Sequence, residues 1–215
     1  MSAETENVNK YVIKNEEELE SVLGEPMGFV KAKIVTRLDD LMKDFIRRSP
    51  LIFVSTIDTN GHVDVSPKGD PCGFVKIDDS GNLLIPERPG NRLTFGFRNI
   101  LLNGEIGLIF LVPNQRETLR VKGIATLHNE PGVLDSLQTN GKPALLCTHV
   151  EVKECFMHCG KALIRSKLWQ PQAWEAATDS LGARQLAPVL GGDASEASVQ
   201  RTQDLLEKAY TDELY

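Results

Sequence analysis

The stretch LIFVSTIDTNGHVDVSPKG (residues 51–69) carries the pattern on which the prediction of the fold depends. Its first seven residues are mostly β-branched or apolar, a composition typical of strands. The tetrapeptide Asp58-Thr59-Asn60-Gly61 follows and contains the Asn-Gly pair of a hairpin turn. Residues 62–66 then alternate apolar and polar as a returning strand. The stretch therefore predicts two adjacent antiparallel strands.

Further strands are predicted on the C-terminal side, over residues 73–77, 82–86, 105–112, 119–127 and 145–157. In residues 119–127 the odd-numbered positions are apolar or small and the even-numbered ones include Arg120 and Lys122, so two faces are distinguished. A helix is predicted over residues 92–103. Another is predicted before the first strand, with a buried stripe of Val35, Leu38, Leu41, Met42, Phe45 and Ile46. This order of elements favours an antiparallel barrel.

The chain divides into three predicted parts. Residues 1–30 form an N-terminal extension with a mobile start, a short helix near residues 16–23 and a covering loop. Residues 31–170 form the barrel domain. Residues 171–215 form a helical extension with two helix-forming stretches, residues 171–181 and 194–210, separated by a loop containing Pro188, Gly191 and Gly192.

Composition limits the classes of function. The chain has 215 residues, 41% of them hydrophobic and 25% charged, which suits one globular domain with extensions. It contains no apolar run of membrane-spanning length and no signal-like start, so a cytoplasmic protein with no membrane partner is expected. The net charge of −6 disfavours nucleic acid as a partner. The four cysteines are expected to be reduced thiols.

Residues 85–103 are the first candidate for binding. From residue 88 to residue 104 there are three arginines (Arg88, Arg92 and Arg98) and no acidic residue. Asn91 is predicted to cap a helix that Arg92 opens. A capped helix start beside an arginine suits a phosphate group, because unpaired backbone N–H groups and the helix dipole point there. The alternative is an ordinary capped surface helix with solvated arginines.

Two other stretches carry cations near turns. In residues 63–74, Lys68 follows a strand end and offers a point charge, whereas the alternative is a plain strand connection. Residues 156–169 contain four basic residues and end in Trp169, which could form the wall of a pocket for a planar anion. Arg120, in the middle of a barrel strand, must face either water or an anion.

A metal site is not predicted. His149, Cys155, His158 and Cys159 lie close in sequence, but their spacing does not match a structural zinc site. In a single regular strand, His149 and Cys155 would share one face and His158 would lie on the other. Of the histidines, His158 is the candidate for a catalytic role, against the alternative of a structural histidine.

The successive motifs FVSTIDTNGHVDVSPKGDPCGFV, LLIPERPGNRL, ETLRVKGIA and HCGKALIRSKLW are together similar to those of the pyridoxamine 5'-phosphate oxidase-like, split β-barrel FMN-binding proteins. The similarity covers about residues 30–170 and is greatest to a bacterial-type subgroup of oxidoreductases with SPKGD and RPGNR motifs. The resemblance implies a mainly β, α+β fold, a six-stranded antiparallel split β-barrel with flanking helices. It also implies a homodimer with FMN at the subunit interface, and an FMN-dependent oxidoreductase acting on a small molecule.

The resemblance also assigns residues to the cofactor. The end of the second strand would lie along the flavin ring, the next strand would contact it, an Asn-Arg pair would clamp the phosphate, and a last set would reach the flavin from the partner chain. In that order, these residues are Ser66, Pro67, Lys68 and Gly69; Ile85 and Pro86; Asn91 and Arg92; and Lys161, Arg165, Ser166 and Trp169. Thr118 and Arg120, on a later strand, are also assigned to the cofactor.

Vitamin B6 oxidation is not predicted. The chain ends in LLEKAYTDELY and lacks the substrate-binding arginine and the terminal Arg-Leu-x-Pro pattern of the oxidase itself. Three alternatives stay open: a reductase that uses the deazaflavin F420 on the same barrel, a flavin-binding or sensor protein without turnover, and a haem-binding barrel. The haem alternative has only His149 or His158 as an axial ligand.

Overall fold

Two units make up the described part of the chain, which comprises residues 11–176, 180–212 and 214–215 of this computed structural model. The first unit extends to Ile34 and contains helices α1 (Glu16–Leu23) and α2 (Gly28–Ala32). The Asn15 side chain caps α1 by accepting a hydrogen bond from the Glu18 N–H. The predicted helix near residues 16–23 is confirmed, a short helix replaces part of the predicted covering loop, and the predicted mobile start at residues 1–10 lies outside the described residues.

The second unit is built on one antiparallel sheet. Its strands are β1 (Leu51–Ile57), β2 (Val63–Gly69), β3 (Lys76–Ile77), β4 (Leu83–Glu87), β5 (Glu105–Leu111), β6 (Thr118–His128) and β7 (Leu146–His158). They lie in the order β2-β1-β5-β6-β7-β4-β3 and curl into a half-barrel. The predicted fold class, an antiparallel split β-barrel with flanking helices, is confirmed. The sheet has seven strands where the resemblance implied six, one of them only two residues long.

Two aspartates close the β1–β2 and β3–β4 hairpins. The Asp58 carboxylate accepts hydrogen bonds from the N–H groups of Asn60 and His62. Asp78 does the same with Ser80 and Asn82. Partial burial opposes ionisation of Asp78, but its hydrogen bonds from the Asn82 N–H and from His149 outweigh that effect and lower its pKa. Local hydrogen bonding therefore fixes both turns.

Helix α3 (Asp40–Arg48) packs its apolar face on the sheet core. Its first turn is capped by Asp39, whose carboxylate accepts from the Met42 N–H at 2.8 Å. The predicted stripe is only partly right, because the helix begins at residue 40. Val35 instead pairs with a residue of β7 in an isolated bridge, and Leu41 is 80% exposed.

The β6 pattern is confirmed, but the β7 pattern is not. Leu119, Val121 and Ala125 of β6 are buried, and Arg120 and Lys122 are exposed. Opposite the Lys122–Gly123 step, the β6–β7 register shifts, so that no residue of β6 pairs with Lys153 in the ladder. This bulge reverses the alternation along β7, so Cys155 enters the core, whereas His149 lies on the opposite face beside Asp78. The prediction that His149 and Cys155 share a face is therefore wrong.

The C-terminal part contains helices α7 (Leu181–Val189) and α8 (Glu196–Asp212), which form a hairpin around its own small cluster of Ala183, Ala187, Val199 and Leu206. Two further short helices, α5 (Pro131–Ser136) and α6 (Lys161–Arg165), lie next to β7 in the sequence. The predicted helix over residues 171–181 is reduced to a 3-10 turn at Pro171–Ala173, and residues 177–179 lie outside the described residues. Pro188, predicted in a loop, lies inside α7. None of the helices in the described ranges is both long and apolar enough to span a bilayer.

Candidate functional site

The main cavity lies between β1, β2, β4 and the segment that leads into helix α4 (Phe95–Asn103), and its volume is about 240 Å³. Because side chains alternate along a strand, β2 turns Asp64, Ser66 and Lys68 into the cavity. The full lining is Val54, Thr56, Asp64, Ser66, Lys68, Ile85, Asn91, Leu93, Thr94, Phe95, Gly96, Phe97, Ile100, Ile106 and Thr148.

Four of the predicted cofactor residues line this cavity, namely Ser66, Lys68, Ile85 and Asn91. They come from two separate sequence motifs, Ser66 and Lys68 from the first and Ile85 and Asn91 from LLIPERPGNRL. Pro67 and Gly69 alternate with the inward residues of β2 and are exposed, and Pro86 alternates with Ile85 and is buried. The structure thus brings together one face of each predicted strand segment and leaves the neighbouring positions on the other face.

The segment before α4 corrects the prediction of a capped helix start at Asn91. The Asn91 side-chain oxygen accepts a hydrogen bond from the Leu93 N–H at 3.0 Å, which forms a local turn instead of a helix cap. Arg92 and Thr94 adopt left-handed backbone conformations with φ of 59° and 58°, and the helix begins only at Phe95. Non-glycine residues rarely adopt this conformation, and they concentrate at functional sites when they do. The strained segment forms one wall of the cavity.

Lys68 is the cation inside the cavity. Its ammonium group forms a hydrogen-bonded ion pair with the Glu87 carboxylate and lies 4.8 Å from the centroid of the Phe97 ring. Both side chains of the ion pair are mostly buried, with 18% and 26% of their surface exposed. The lysine is therefore held in place from two sides, by a carboxylate and by an aromatic face.

Arg88 does not contribute to this cavity. Its Nε donates to the Asp70 carboxylate at 2.7 Å, and its terminal nitrogen donates to the Leu137 carbonyl and the Thr139 hydroxyl. Of the three arginines in residues 88–104, Arg88 is therefore held in a structural contact with Asp70, Leu137 and Thr139. Arg92 and Arg98 are both exposed.

Several polar lining residues were not predicted. Thr56 is buried, and its hydroxyl accepts a hydrogen bond from the Asn99 amide at 3.0 Å. Asp64 and Thr148 also face the cavity. The alternation of β2 could have indicated Asp64, since it lies two residues before Ser66. No local signal marks Thr56, because its role depends on a contact with a helix 43 residues away.

The β6 residues assigned to the cofactor lie elsewhere on the sheet. Thr118 is buried and pairs with His158, and Arg120 is exposed and pairs with Phe156. Neither of them lines the main cavity. Arg120 reaches water, which is one of the two environments expected for it. Their assignment to the flavin stays a prediction.

Trp169 lies in a second groove, about 360 Å³ in volume, between the β5–β6 loop and the segment after β7. Its indole N–H donates to the Gln115 carbonyl at 2.7 Å. Lys161, Arg165 and Ser166 are exposed, and they are not among the residues that line the groove. The contact of this set with a flavin of the partner chain stays a prediction.

His158 lies at the end of β7, 6.2 Å from the ring of Phe156, outside the lining of both cavities. Burial raises the pKa of the Cys155 thiol to about 11, with a further contribution from the Asp39 and Glu154 carboxylates. Cys155 is therefore an inert core thiol. Across the described ranges, the His, Cys, Asp and Glu side chains form no group of three suited to a metal ion.

The chain thus combines an antiparallel split barrel with a cavity beside its second strand. The family model described as pyridoxamine 5'-phosphate oxidase matches residues 38–159, more than half of the chain. The chain therefore belongs to the pyridoxamine 5'-phosphate oxidase family, and the resemblance deduced from its motifs is confirmed. Among curated proteins, no sequence matches the chain.

Several solved structures are similar to the chain. HupZ from Group A Streptococcus is 21% identical, with a TM-score of 0.45, over 56% of this chain and 93% of that one. General Stress Protein 26 from Bacillus anthracis is 10% identical, with a TM-score of 0.42, over 54% and 88%. HutZ from Vibrio cholerae, described as a heme storage protein, is 14% identical, with a TM-score of 0.38, over 58% and 97%. Similarity at this level says nothing about what this chain binds.

Proposed function

We propose that the chain is an FMN-dependent oxidoreductase whose main cavity receives part of the flavin. One observation carries the proposal: Ser66, Lys68, Ile85 and Asn91 come from two separate motifs and meet around one cavity. These are four of the positions that the family resemblance assigns to the flavin. Family membership supports the same reading.

The lining suits a flat ligand with a polar edge. Ile85, Leu93 and Phe97 supply apolar surface for a ring system. The hydroxyl of Ser66 and the amide of Asn91 supply hydrogen-bonding groups at the same cavity. Bound FMN would supply the hydride or electron chemistry, and the chain would supply binding and orientation.

Lys68 is the residue placed to influence the flavin electronically. A fixed cation near the polar edge of the ring stabilises negative charge that develops on reduction. The Glu87 carboxylate orients the Lys68 ammonium group through their ion pair, and the Phe97 ring limits its movement. Lys68 thus has an electrostatic role in this proposal, and no proton transfer is assigned to it.

Arg92 is proposed to hold the phosphate group of FMN. It follows Asn91 of the cavity lining, is exposed, and forms no ion pair within the described residues. Replacement by alanine is expected to weaken FMN binding by about 1.5–3 kcal/mol, or roughly 10–150-fold, the range for a charge-assisted hydrogen bond. Titration of FMN fluorescence against the apoprotein measures this change.

The matched control is Arg98→Ala, which removes an exposed arginine of α4 that is not part of the cavity lining. Its affinity for FMN should stay within about twofold of the wild-type value, since loss of an exposed charge outside the lining has little effect. Equal affinities of both variants and the wild type would place the phosphate elsewhere.

The cofactor itself is tested by the absorption spectrum and the mass of the small molecule that copurifies with the native protein. FMN gives bands at roughly 370 and 450 nm and the mass of the mononucleotide. A copurified F420 or haem would overturn the proposal. If FMN is bound but no reductant or quinone turns it over, the chain is a flavin-binding protein and the enzymatic part of the proposal is wrong.

We also propose that two chains form a homodimer, with FMN at the interface and the Lys161, Arg165, Ser166 and Trp169 set reaching it from the partner. Support comes from the outer face of β1 and β2, where Phe53, Val63 and Val65 are 36%, 63% and 59% exposed. Adjacent exposed apolar side chains on a sheet indicate a protein interface.

The dimer proposal predicts that Val65→Lys, which places a charge in this face, shifts the mass measured by light scattering at micromolar concentration from two chains towards one. The cost of burying an unpaired charge drives the shift. Lys76→Glu, a charge change at an exposed site outside the face, should leave the mass unchanged. A wild-type protein that is monomeric under these conditions would contradict the proposal.

A further inference from the structure

Two histidines meet on the sheet where β6 ends and β7 begins. His149 pairs directly with Thr126 across the β6–β7 ladder, and His128 lies two residues further along β6. Directly opposed residues share a face of a sheet, as do residues two apart on one strand, so the two imidazole rings are diagonal neighbours. Their centroids are 5.6 Å apart and their planes are nearly perpendicular, at 80°. The ladder thus joins two rings that α5 separates in the sequence.

This pair lies outside the main cavity. Thr148 lines that cavity, and successive strand residues point to opposite faces, so the side chain of His149 lies on the other face of β7. The His149 side chain is 28% exposed, and His128 is exposed. A small solute can therefore reach both rings without entering the cavity proposed for FMN.

The contact with Asp78 decides which nitrogen of His149 is available to a ligand. Nε2 of His149 lies 3.1 Å from the Asp78 carboxylate, which reaches it from the β3–β4 turn. An ionised carboxylate only accepts hydrogen bonds, so Nε2 carries the proton and donates. Nδ1 of the neutral ring then has an unprotonated lone pair. Within the described residues, no hydrogen bond involves this Nδ1 atom.

The ring of His128 is held in the same way. Its Nε2 atom lies 2.8 Å from the hydroxyl of Thr126, two residues earlier on the same strand. A hydroxyl both donates and accepts, so this contact suits a ring that carries its proton on Nε2. Across the ranges that the structure describes, Nδ1 of His128 makes no hydrogen bond either. Each ring is therefore oriented through Nε2 and leaves Nδ1 for a ligand.

This arrangement is typical of histidines that bind a metal ion. A ligating histidine almost always donates its other ring N–H to an oxygen, often a carboxylate, which fixes the tautomer and the orientation of the ring. A metal–nitrogen bond measures about 2.0–2.1 Å, so two rings with centroids 5.6 Å apart are close enough to share one ion. Imidazole suits zinc, copper and nickel, whereas magnesium and calcium prefer oxygen ligands. An edge-to-face contact alone explains the separation of the rings but not the matching contacts of both Nε2 atoms.

We propose that His128 and His149 bind one divalent transition-metal ion of the zinc, nickel or copper type through their Nδ1 atoms. Asp78 is a positioning residue, since it acts on the ion only through His149. Water fills the other coordination positions, because the described ranges offer no third His, Cys, Asp or Glu ligand there. The site does not depend on the identity of the cofactor in the main cavity.

The first test is titration of the full chain with Ni²⁺ in isothermal titration calorimetry. The exposed thiols of Cys72 and Cys159 are replaced by serine in every form of the protein, so that they do not compete for the ion. One ion should bind per chain. The double variant His128→Gln/His149→Gln should bind it at least about tenfold more weakly.

The matched control for this variant uses the other two of the four histidines. His62→Gln/His158→Gln removes the same number of imidazole rings but leaves the proposed ligands in place. Its affinity for Ni²⁺ should stay within about twofold of the value for the unsubstituted histidines.

Asp78→Asn separates a metal site from a simple contact of two rings. The new side-chain oxygen still accepts from the N–H groups of Ser80 and Asn82, but an amide NH₂ now faces His149. That amide donates to Nε2, which places the ring proton on Nδ1 and blocks the ligand atom. The affinity for Ni²⁺ should fall at least about tenfold.

Asp58→Asn is the control for this substitution. Asp58 accepts the same two backbone hydrogen bonds in its own turn and contacts the ring of His62, but neither residue belongs to the proposed site. The affinity of this variant should stay within about twofold. Thermal unfolding without metal compares the two aspartate variants, and if Asp78→Asn is the less stable one, the two histidine variants decide.

The proposal is overturned if the unsubstituted chain binds no Ni²⁺ or if the two histidine double variants bind it equally well. An equally stable Asp78→Asn protein with unchanged affinity would overturn the assignment of Nδ1 as the ligand atom. Mg²⁺ is the control ion and should give no binding heat, because it prefers oxygen ligands. Binding of Mg²⁺ as tight as that of Ni²⁺ would also contradict a site built from imidazole.

Discussion

Replacing Arg88 with alanine is expected to lower the free energy of unfolding by about 3–5 kcal/mol, the largest effect anticipated for a single side chain here. The effect is large because Asp70, the ion-pair partner of Arg88, would remain in place. The Asp70 side chain is only 1% exposed, and its ion pair with Arg88 measures 2.7 Å. Alanine would leave this carboxylate buried without a cation. It would also remove the hydrogen bonds to the Leu137 carbonyl and the Thr139 hydroxyl.

Urea unfolding followed by circular dichroism measures the loss. Arg98→Ala is the matched control, since Arg98 belongs to the same arginine-rich stretch but is exposed, and it should change stability by no more than about 0.5 kcal/mol. The Tyr215 hydroxyl still donates to Asp70 at 3.1 Å. Burial and this hydrogen bond raise the pKa of Tyr215, so the phenol stays protonated and keeps donating at neutral pH. If the two arginine variants unfold at the same urea concentration, the Arg88–Asp70 contact is not structural.

The second large effect is expected for Gly160→Ala. A Cβ atom on Gly160 would lie 1.9 Å from the carbonyl oxygen of Arg116 and 2.4 Å from its carbonyl carbon. These are backbone atoms, so no side-chain rotation relieves the overlap. Either the β5–β6 loop, which carries Arg116, or the segment after β7, which carries Gly160, must move. The cost should reach about 3 kcal/mol, the upper part of the range for overpacking.

Gly132→Ala in α5 provides the comparison, because a Cβ atom there meets nothing within 4 Å. That variant should be neutral or up to about 1 kcal/mol more stable, since alanine restricts the unfolded chain. Thermal unfolding of both variants separates steric overlap from any general intolerance of glycine replacement. A Gly160→Ala protein as stable as the Gly132→Ala protein would show that the backbones at Gly160 and Arg116 are not in close contact.

The strands were predictable because their signals are local. β1 was predicted with its observed ends, from seven mostly β-branched or apolar residues next to an Asn-Gly turn. The faces of β6 followed from simple alternation. Four lining residues of the main cavity, Ser66, Lys68, Ile85 and Asn91, were found through the family motifs.

What the sequence did not reveal depends on contacts between distant segments. The bulge in β7 arises from pairing with β6, and no local sequence pattern near Lys153 predicts it. Arg88 looked like its neighbours Arg92 and Arg98, and only its position next to Asp70 and the loop near Leu137 distinguishes it. The late start of α4 reflects the turn formed by Asn91, a residue that caps helices and turns equally well.

The prolines of β2 and β4 also limit how the protein can misassemble. β2 is an edge strand that contains Pro67, and Pro86 lies in β4 beyond the two residues that pair with β3. Proline has no N–H to donate, so an extended chain from another molecule cannot continue an uninterrupted ladder along either margin. Growth into a fibril by edge addition is thereby hindered at both ends of the half-barrel, and association between copies is directed to the faces of the sheet.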